Sequence, residues 1–192
     1  MSAETTAHAS SNRLAMNRLG LWLFLISDAF TFGGMLIARF YLWGNTRPEL
    51  NQQLGFLVTM VLLASSFFAN RSETAMQFGD LKSFRKYALL TLGLGAVFVA
   101  GVLFVEWPLA GAHIPVNKDV YGAIFFLMTG MHAFHVITGL IFLWLIIRKA
   151  DKGLYTAQKH WGVEAAVVYW HFVDVVWIFY YPALYLIGNL VK

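Results

Sequence analysis

Cysteine is absent from the 192-residue chain. That excludes a disulfide framework, a cysteine-bound zinc or iron–sulfur centre and a thiol nucleophile. Charge is scarce too: Asp, Glu, Lys and Arg make up 12% of the residues, against roughly 25% in soluble domains. No phosphate-cradling loop, Gly-rich dinucleotide fingerprint or Ser-His-Asp pattern can be assembled. Internal repeats, inverted symmetry and low-complexity tracts are missing, as is the pair of short, Gly/Pro-broken helices that marks a transporter midplane site. The chain taken alone offers no catalytic centre. What is abundant is apolar surface. Hydrophobic residues make up 59% and aromatic residues 17%, and the mean hydropathy is +0.62. A soluble domain of this length cannot bury so much apolar side chain, and the same abundance excludes disorder. The composition points to a lipid-solvated protein with Trp and Tyr near headgroups. The net charge of +4 reads as loop lysine and arginine on such a protein. Nucleic acid is not an expected partner, because the basic residues fall between apolar runs rather than in one stripe.

A spanning helix needs about 20 mostly apolar residues. Five stretches qualify: about Leu19–Trp43, Leu54–Asn70, Tyr87–Trp107, Tyr121–Ile147 and Val163–Leu186. They lack barrel-like alternation, so the expected fold is an all-α integral membrane protein, a five-helix transmembrane bundle over residues 18–192. Residues 1–17 are small and polar, and are expected to form a flexible tail. Trp107-Pro108, Gly111 and Pro115 suggest a turn-rich connection after the third span. Arg13, Arg18, Arg71, Lys82, Arg85, Lys86, Arg148, Lys149, Lys152 and Lys159 share one side of the bundle. The other side has Arg47, Lys118 and Lys192, with Arg39 near enough to snorkel there. This asymmetry predicts a cytoplasmic N-terminus and an outside C-terminus.

Ionisable groups deep in a bilayer are expensive, so each needs a reason. At about 1.5 Å of rise per residue, Asp28, His132, His135, His171 and Asp174 fall in one central layer. Glu106 and Glu164 lie nearer the ends, where a carboxylate can reach water. On the fifth span Glu164, His171, Asp174, Ile178, Tyr181 and Tyr185 recur at helical spacing, as do Met128, His132, His135 and Gly139 on the fourth. Both faces are expected to turn away from lipid. Gly34 with Ala38, and Gly93 with Ala96 and Ala100, are candidate close-packing stripes. For most of the polar residues two readings stand side by side. His132, His135 and His171 can ligate a haem iron, or hydrogen-bond between helices as neutral imidazoles. Asp28 can relay protons, or pack against Ser27 or Thr31. His171 and Asp174 can form a relay or a structural hydrogen-bonded pair. Tyr180, Tyr181 and Tyr185 are read as interfacial anchors. Arg71, Arg85 and Arg148 can bind anionic lipid headgroups while also enforcing topology.

Several segments carry a family resemblance. The stretch Arg18-Leu-Gly-Leu-Trp-Leu-Phe-Leu-Ile-Ser-Asp28 resembles the opening of the conserved region of haem–copper oxidase subunit III. So do Leu62-Leu-Ala-Ser-Ser66 with the following Gly79-Asp-Leu-Lys82, and the run from Tyr121 to Gly139. The closest match is Tyr169-Trp-His171-Phe-Val-Asp174-Val-Val-Trp177, long and rich in rare residue types. The chain is similar to the short, five-helix form of the family, found in prokaryotic members.

The resemblance implies an accessory subunit without haem or copper of its own, packed beside the haem–copper catalytic subunit I, with subunit II and small subunits as further partners. It implies bound phospholipid and support of proton uptake while the complex reduces oxygen in the respiratory chain. Asp28 occupies the place of an intramembrane glutamate known for carbodiimide reactivity, one methylene shorter here. His132, His135, His171 and Asp174 match family positions, as does Glu106, and none is a metal ligand in the family. Arg148 matches a basic residue associated with lipid headgroups. The Tyr169–Trp177 stretch resembles cytochrome c oxidases, whereas Asp28 and the five-helix length are compatible with a quinol oxidase. Two remote alternatives are a haem-binding membrane anchor using the three histidines and a proton channel using Asp28.

Overall fold

In the computed structural model five helical stretches are long and apolar enough to cross a membrane: Asn12–Trp43, Gln52–Gln77, Leu81–His113, Val120–Asp151 and Trp161–Leu186. The structure describes residues 3–115 and 120–191, with side chains from residue 12 onward. Lys118 and Lys192, counted above among the charges of one face, lie outside the described residues. Helix α1 (Ala3–Trp43) leads through a short strand β1 (Thr46–Arg47) into α2 (Gln52–Gln77). The third span joins α3 (Leu81–Ala100), a π-helical segment (Gly101–Glu106) and α4 (Trp107–His113). Then come α5 (Val120–Asp151), α6 (Trp161–Tyr181), a second π-helical segment (Pro182–Leu186) and β2 (Asn189–Leu190). Helix α1 begins at Ala3, so the backbone of the expected tail is continuous with the first span. No Gly or Pro stands between residues 3 and 19 to interrupt it. The third span also runs past Trp107 to His113, and the expected turn at Trp107-Pro108 is helical. Pro108 stands in the first turn of α4, two residues after the π-helical segment, where a ring without an N–H is accommodated.

Side-chain caps open two helices. Asn51 accepts the Leu54 N–H at 3.0 Å to start α2, and Asp80 accepts the Ser83 N–H at 3.1 Å to start α3. Between α2 and α3, Gly79 at φ +75° makes the tight reversal. The bundle has two distinct ends. At the basic end lie the α2–α3 turn, the α5–α6 loop and Arg18. At the other, the β end, β1 pairs in parallel with β2. Arg39 was expected to snorkel toward water at that end. It is instead wholly buried: its guanidinium donates to the carbonyls of Gly44, Thr46 and Ile187 and lies over the rings of Phe40 and Trp43. These carbonyls end helical or strand segments and need donors, and one planar five-donor group serves three of them.

Helix α6 is the most buried span and α1 the least. The indoles of α6 set the packing. Trp170 lies between Gly95 of α3 and Gly139 of α5, where an added Cβ would come within 2.5 and 2.8 Å of its ring. Its N–H donates to the Ser65 hydroxyl at 3.0 Å, and that of Trp177 to the Thr59 hydroxyl at 2.9 Å. Buried indole donors are thereby satisfied within the bundle. The expected stripe residues Gly34 and Gly93 have nothing within 4 Å of a notional Cβ. The helices approach at Gly55, Gly95 and Gly139 instead, because those positions face bulky rings.

Candidate functional site

On α6 the buried face is centred on Trp170, Asp174, Trp177 and Tyr180, while Ile178 is exposed. The helix is thus rotated relative to the face expected through His171 and Ile178, because Trp170 and Trp177 take the space opposite the glycines. Tyr180 and Tyr185, read above as interfacial anchors, are core residues. The Tyr180 hydroxyl donates to the Phe32 carbonyl of α1 at 3.0 Å.

The central polar layer divides into separate pairings. Asp28 Oδ2 of α1 lies 3.3 Å from His135 Nε2 of α5, a close contact without the alignment of a good hydrogen bond. His135 Nδ1 is 2.8 Å from the Met131 carbonyl. A carbonyl only accepts, so Nδ1 carries hydrogen. The Nε2–Oδ2 approach is a polar contact that joins α1 to α5 inside the bundle. The Phe32 ring meets the imidazole edge-on at 4.8 Å. The expected alternative, Asp28 packing on Ser27 or Thr31, is not seen: Thr31 donates to the Ser27 carbonyl at 3.5 Å.

His132, one turn earlier on α5, points elsewhere. It is wholly buried, stacked on Trp177 at 4.7 Å and edge-on to Phe98 at 5.7 Å, with neither ring nitrogen hydrogen-bonded. His171 Nδ1 pairs with the Ser66 hydroxyl at 2.6 Å. No nitrogen–oxygen approach within 4.0 Å joins His171 to Asp174, so the expected hydrogen-bonded pair is replaced by two groups flanking Ser66. The Asp174 carboxyl neighbours that hydroxyl, yet neither of its oxygens has a well-formed hydrogen bond. Glu106, expected to reach water, is 4% exposed with both oxygens unpartnered. The helical extension to His113 carries it inside the span, and the Glu49–Leu54 stretch stands across from it.

Two features near the basic end were missed in the sequence. Arg18 donates to both oxygens of Glu164 at 3.0 and 3.1 Å and lies over the Trp161 ring, tying α1 to the start of α6. Beside this clamp an apolar crevice of about 570 Å³ opens between α1, α5 and α6. Leu21, Phe24, Phe142, Ile146, Ala166 and Tyr169 are among its lining residues, with Lys149 at its polar margin. The signal for it was Lys149 in the last turn of α5, on the same helical face as Phe142 about two turns earlier. Burial pushes the phenol of Tyr155, in the loop at the crevice mouth, above its usual value. Of the basic residues read as lipid contacts, Arg148 is exposed over Trp144 at 5.7 Å and Arg71 lies over Tyr87 at 5.9 Å. Arg85 approaches Asp151 at 3.6 Å.

The family model described as cytochrome c oxidase subunit III matches residues 1–189. The chain belongs to the cytochrome c oxidase subunit III family. Among its relatives, cytochrome c oxidase subunit 3 of Thermostichus vulcanus is 37% identical over 88% of this chain and 86% of its own length. The probable cytochrome c oxidase subunit 3 of Nocardia farcinica is 37% identical over 97% and 95%. The subunit 3 of Lycodon semicarinatus is 34% identical over 95% of this chain but only 74% of its own length. The chain is thus a multi-pass helical membrane protein of the subunit III family, similar in length to the Thermostichus vulcanus and Nocardia farcinica relatives.

Proposed function

We propose that the chain is the cofactor-free accessory subunit III of a terminal haem–copper oxidase, assembled with subunit I, subunit II and small subunits in a prokaryotic cell membrane. Haem and copper sit in the partner subunits, and oxygen is reduced there with cytochrome c as the donor. The relatives bear cytochrome c oxidase names, which favours that donor over quinol. The basic end faces the cytoplasm by the charge asymmetry of the loops.

One observation carries this reading: the seating of α1. This helix meets the rest of the bundle through the Asp28–His135 contact and the Arg18–Glu164 clamp, with an apolar crevice beside them. A phospholipid fits there, its chain against Phe24, Phe142 and Tyr169 and its phosphate toward Lys149. Arg71, Arg85 and Arg148 extend the basic surface for neighbouring headgroups. Such a lipid stiffens the contact of α1 with whatever lies outside it. The ionisable groups of the basic end raise proton availability near the uptake entrance of the catalytic subunit. The three histidines serve three separate partners, Trp177, Asp28 and Ser66, an arrangement suited to packing.

Purification of the chain with its natural partners tests the proposal. Haem-containing oxidase polypeptides should accompany it, and one should carry a copper-binding domain. The separated chain should lack a Soret band. Absence of oxidase polypeptides overturns the assignment, and a Soret band from the chain alone overturns its cofactor-free part.

A further inference from the structure

Helix α1 is fastened to the bundle unevenly along its length. Its buried residues are Leu25, Phe32, Arg39 and Trp43, a narrow seam at roughly two-turn spacing that tightens toward the β end. There Arg39 is wholly buried and holds three carbonyls. Further in, the Phe32 carbonyl accepts from the Tyr180 hydroxyl. Between Asn12 and Phe24 no side chain of α1 is buried. Open space flanks this half of the helix on two sides. The crevice of about 570 Å³ lies beside Leu21 and Phe24, and an apolar groove of about 450 Å³ toward α6 lies beside Trp22, Ile26 and Ala29. The polar tie at the basic end is the Arg18–Glu164 clamp, with its arginine half-exposed. Glu73 of α2 stands near enough to Glu164 for the two carboxylates to repel each other, which weakens that tie.

The loose half and the anchored half meet at Gly33 and Gly34. Notional Cβ atoms on both glycines meet nothing within 4 Å, so close packing does not account for them. Two adjacent glycines soften a helix and make it bend there. We propose that α1 is a latched lever: its basic half bends at Gly33-Gly34 away from α6 when the Arg18–Glu164 clamp opens, while its β-end half stays seated. The distance from Gly33 to Arg18 is about 22 Å along the helix, so a bend of about 15° moves Arg18 by about 6 Å. The Phe24 ring stacks on Tyr169 at 6.3 Å, and the Tyr169 hydroxyl donates to the His135 carbonyl at 3.2 Å. These two rings stand between the crevice and the Asp28–His135 contact, one turn of α1 further in. The bend parts them and extends the crevice from the basic end toward Asp28. The inference rests on the fold and does not depend on the oxidase assignment.

The test uses the full chain in nanodiscs. It contains no cysteine, so spin labels attach only at introduced cysteines. Double electron–electron resonance reads one pair across the basic end, at Asn17 and Lys82, and one across the β end, at Tyr41 and Leu190, all exposed positions. Glu164→Gln should enlarge a population about 6 Å longer at the basic end by about two- to fivefold, and high salt should do the same to the unsubstituted chain. The β-end distance should stay unchanged in both. Gly33→Ala with Gly34→Ala, which the open space tolerates, should cancel the gain caused by Glu164→Gln. Basic-end distances indifferent to both Glu164→Gln and salt overturn the latch. Equal displacement at both ends means that the whole helix detaches, and a gain that persists in the alanine background removes the hinge; either result overturns the lever. Should Glu164→Gln fail to insert, the salt comparison on the unsubstituted chain and on the alanine variant decides.

Discussion

Replacing Gly95 with alanine and, separately, Gly93 with alanine probes the packing argument with two nearly identical changes. A Cβ at Gly95 would come within 2.5 Å of the Trp170 ring and 2.8 Å of Leu140. The Trp170 ring has little room to retreat toward α5, where it packs so near Gly139 that a Cβ there would come within 2.8 Å of it, and its N–H is held by Ser65. The methyl group must therefore push α3 away from α6. Overpacking of this kind costs about 1–3 kcal/mol. Gly93 has nothing within 4 Å of its notional Cβ, so alanine there only improves helix propensity, by up to about 1 kcal/mol. For a chain of this size a change of 1 kcal/mol moves Tm by about 2–4 °C. Thermal unfolding of the detergent-solubilised chain should thus show Gly95→Ala lower by about 2–12 °C and Gly93→Ala unchanged or slightly higher. A double variant Gly95→Ala with Trp170→Phe should recover part of the loss, as a positive coupling in a double-mutant cycle. Equal Tm values for the two alanine variants would refute the wedge.

Asp28→Ala should leave initial oxidase turnover near normal but hasten its decay over catalytic cycles, since the variant loosens α1 without touching a redox group. An unchanged decay profile removes any role for the carboxylate. The Arg18–Glu164 clamp is half-exposed on the arginine side, so a double-mutant cycle on unfolding should give a coupling of about 0.2–1 kcal/mol, weaker in high salt; a null or salt-independent coupling contradicts it. The Ser83 hydroxyl and N–H hold the Asp80 carboxyl below the usual carboxylate range. Its cap is therefore fully stabilising above its unfolded-state value and is lost as pH falls through its folded value. Asp80→Ala should destabilise α3 at neutral pH, and the gap to the unsubstituted protein should close in acid, below about pH 3.9; a gap that stays constant argues that the carboxylate is not the cap.

The sequence by itself determined the number of spans and their order, but not the burial of Arg39 and Glu106. Hydropathy sums along the chain, and a rise of about 1.5 Å per residue turns position into depth. The motifs from Arg18 to Asp28 and from Tyr169 to Trp177 were readable in the same way, and they carried the family. Only the tertiary structure decided the rotation of each helix about its own axis. In a membrane, lipid is as apolar as the protein interior, so polarity does not separate the inward face from the lipid face. Shape does: Trp170 turned toward Gly95 and Gly139 fixes the azimuth of α6. That azimuth sends His171 to Ser66 and buries Tyr180 and Tyr185, while on α5 His132 and His135 part toward Trp177 and Asp28. The burial of Glu106 was equally invisible, because it depends on a helix continuing through Pro108 and on a distant stretch, Glu49 to Leu54, standing opposite it.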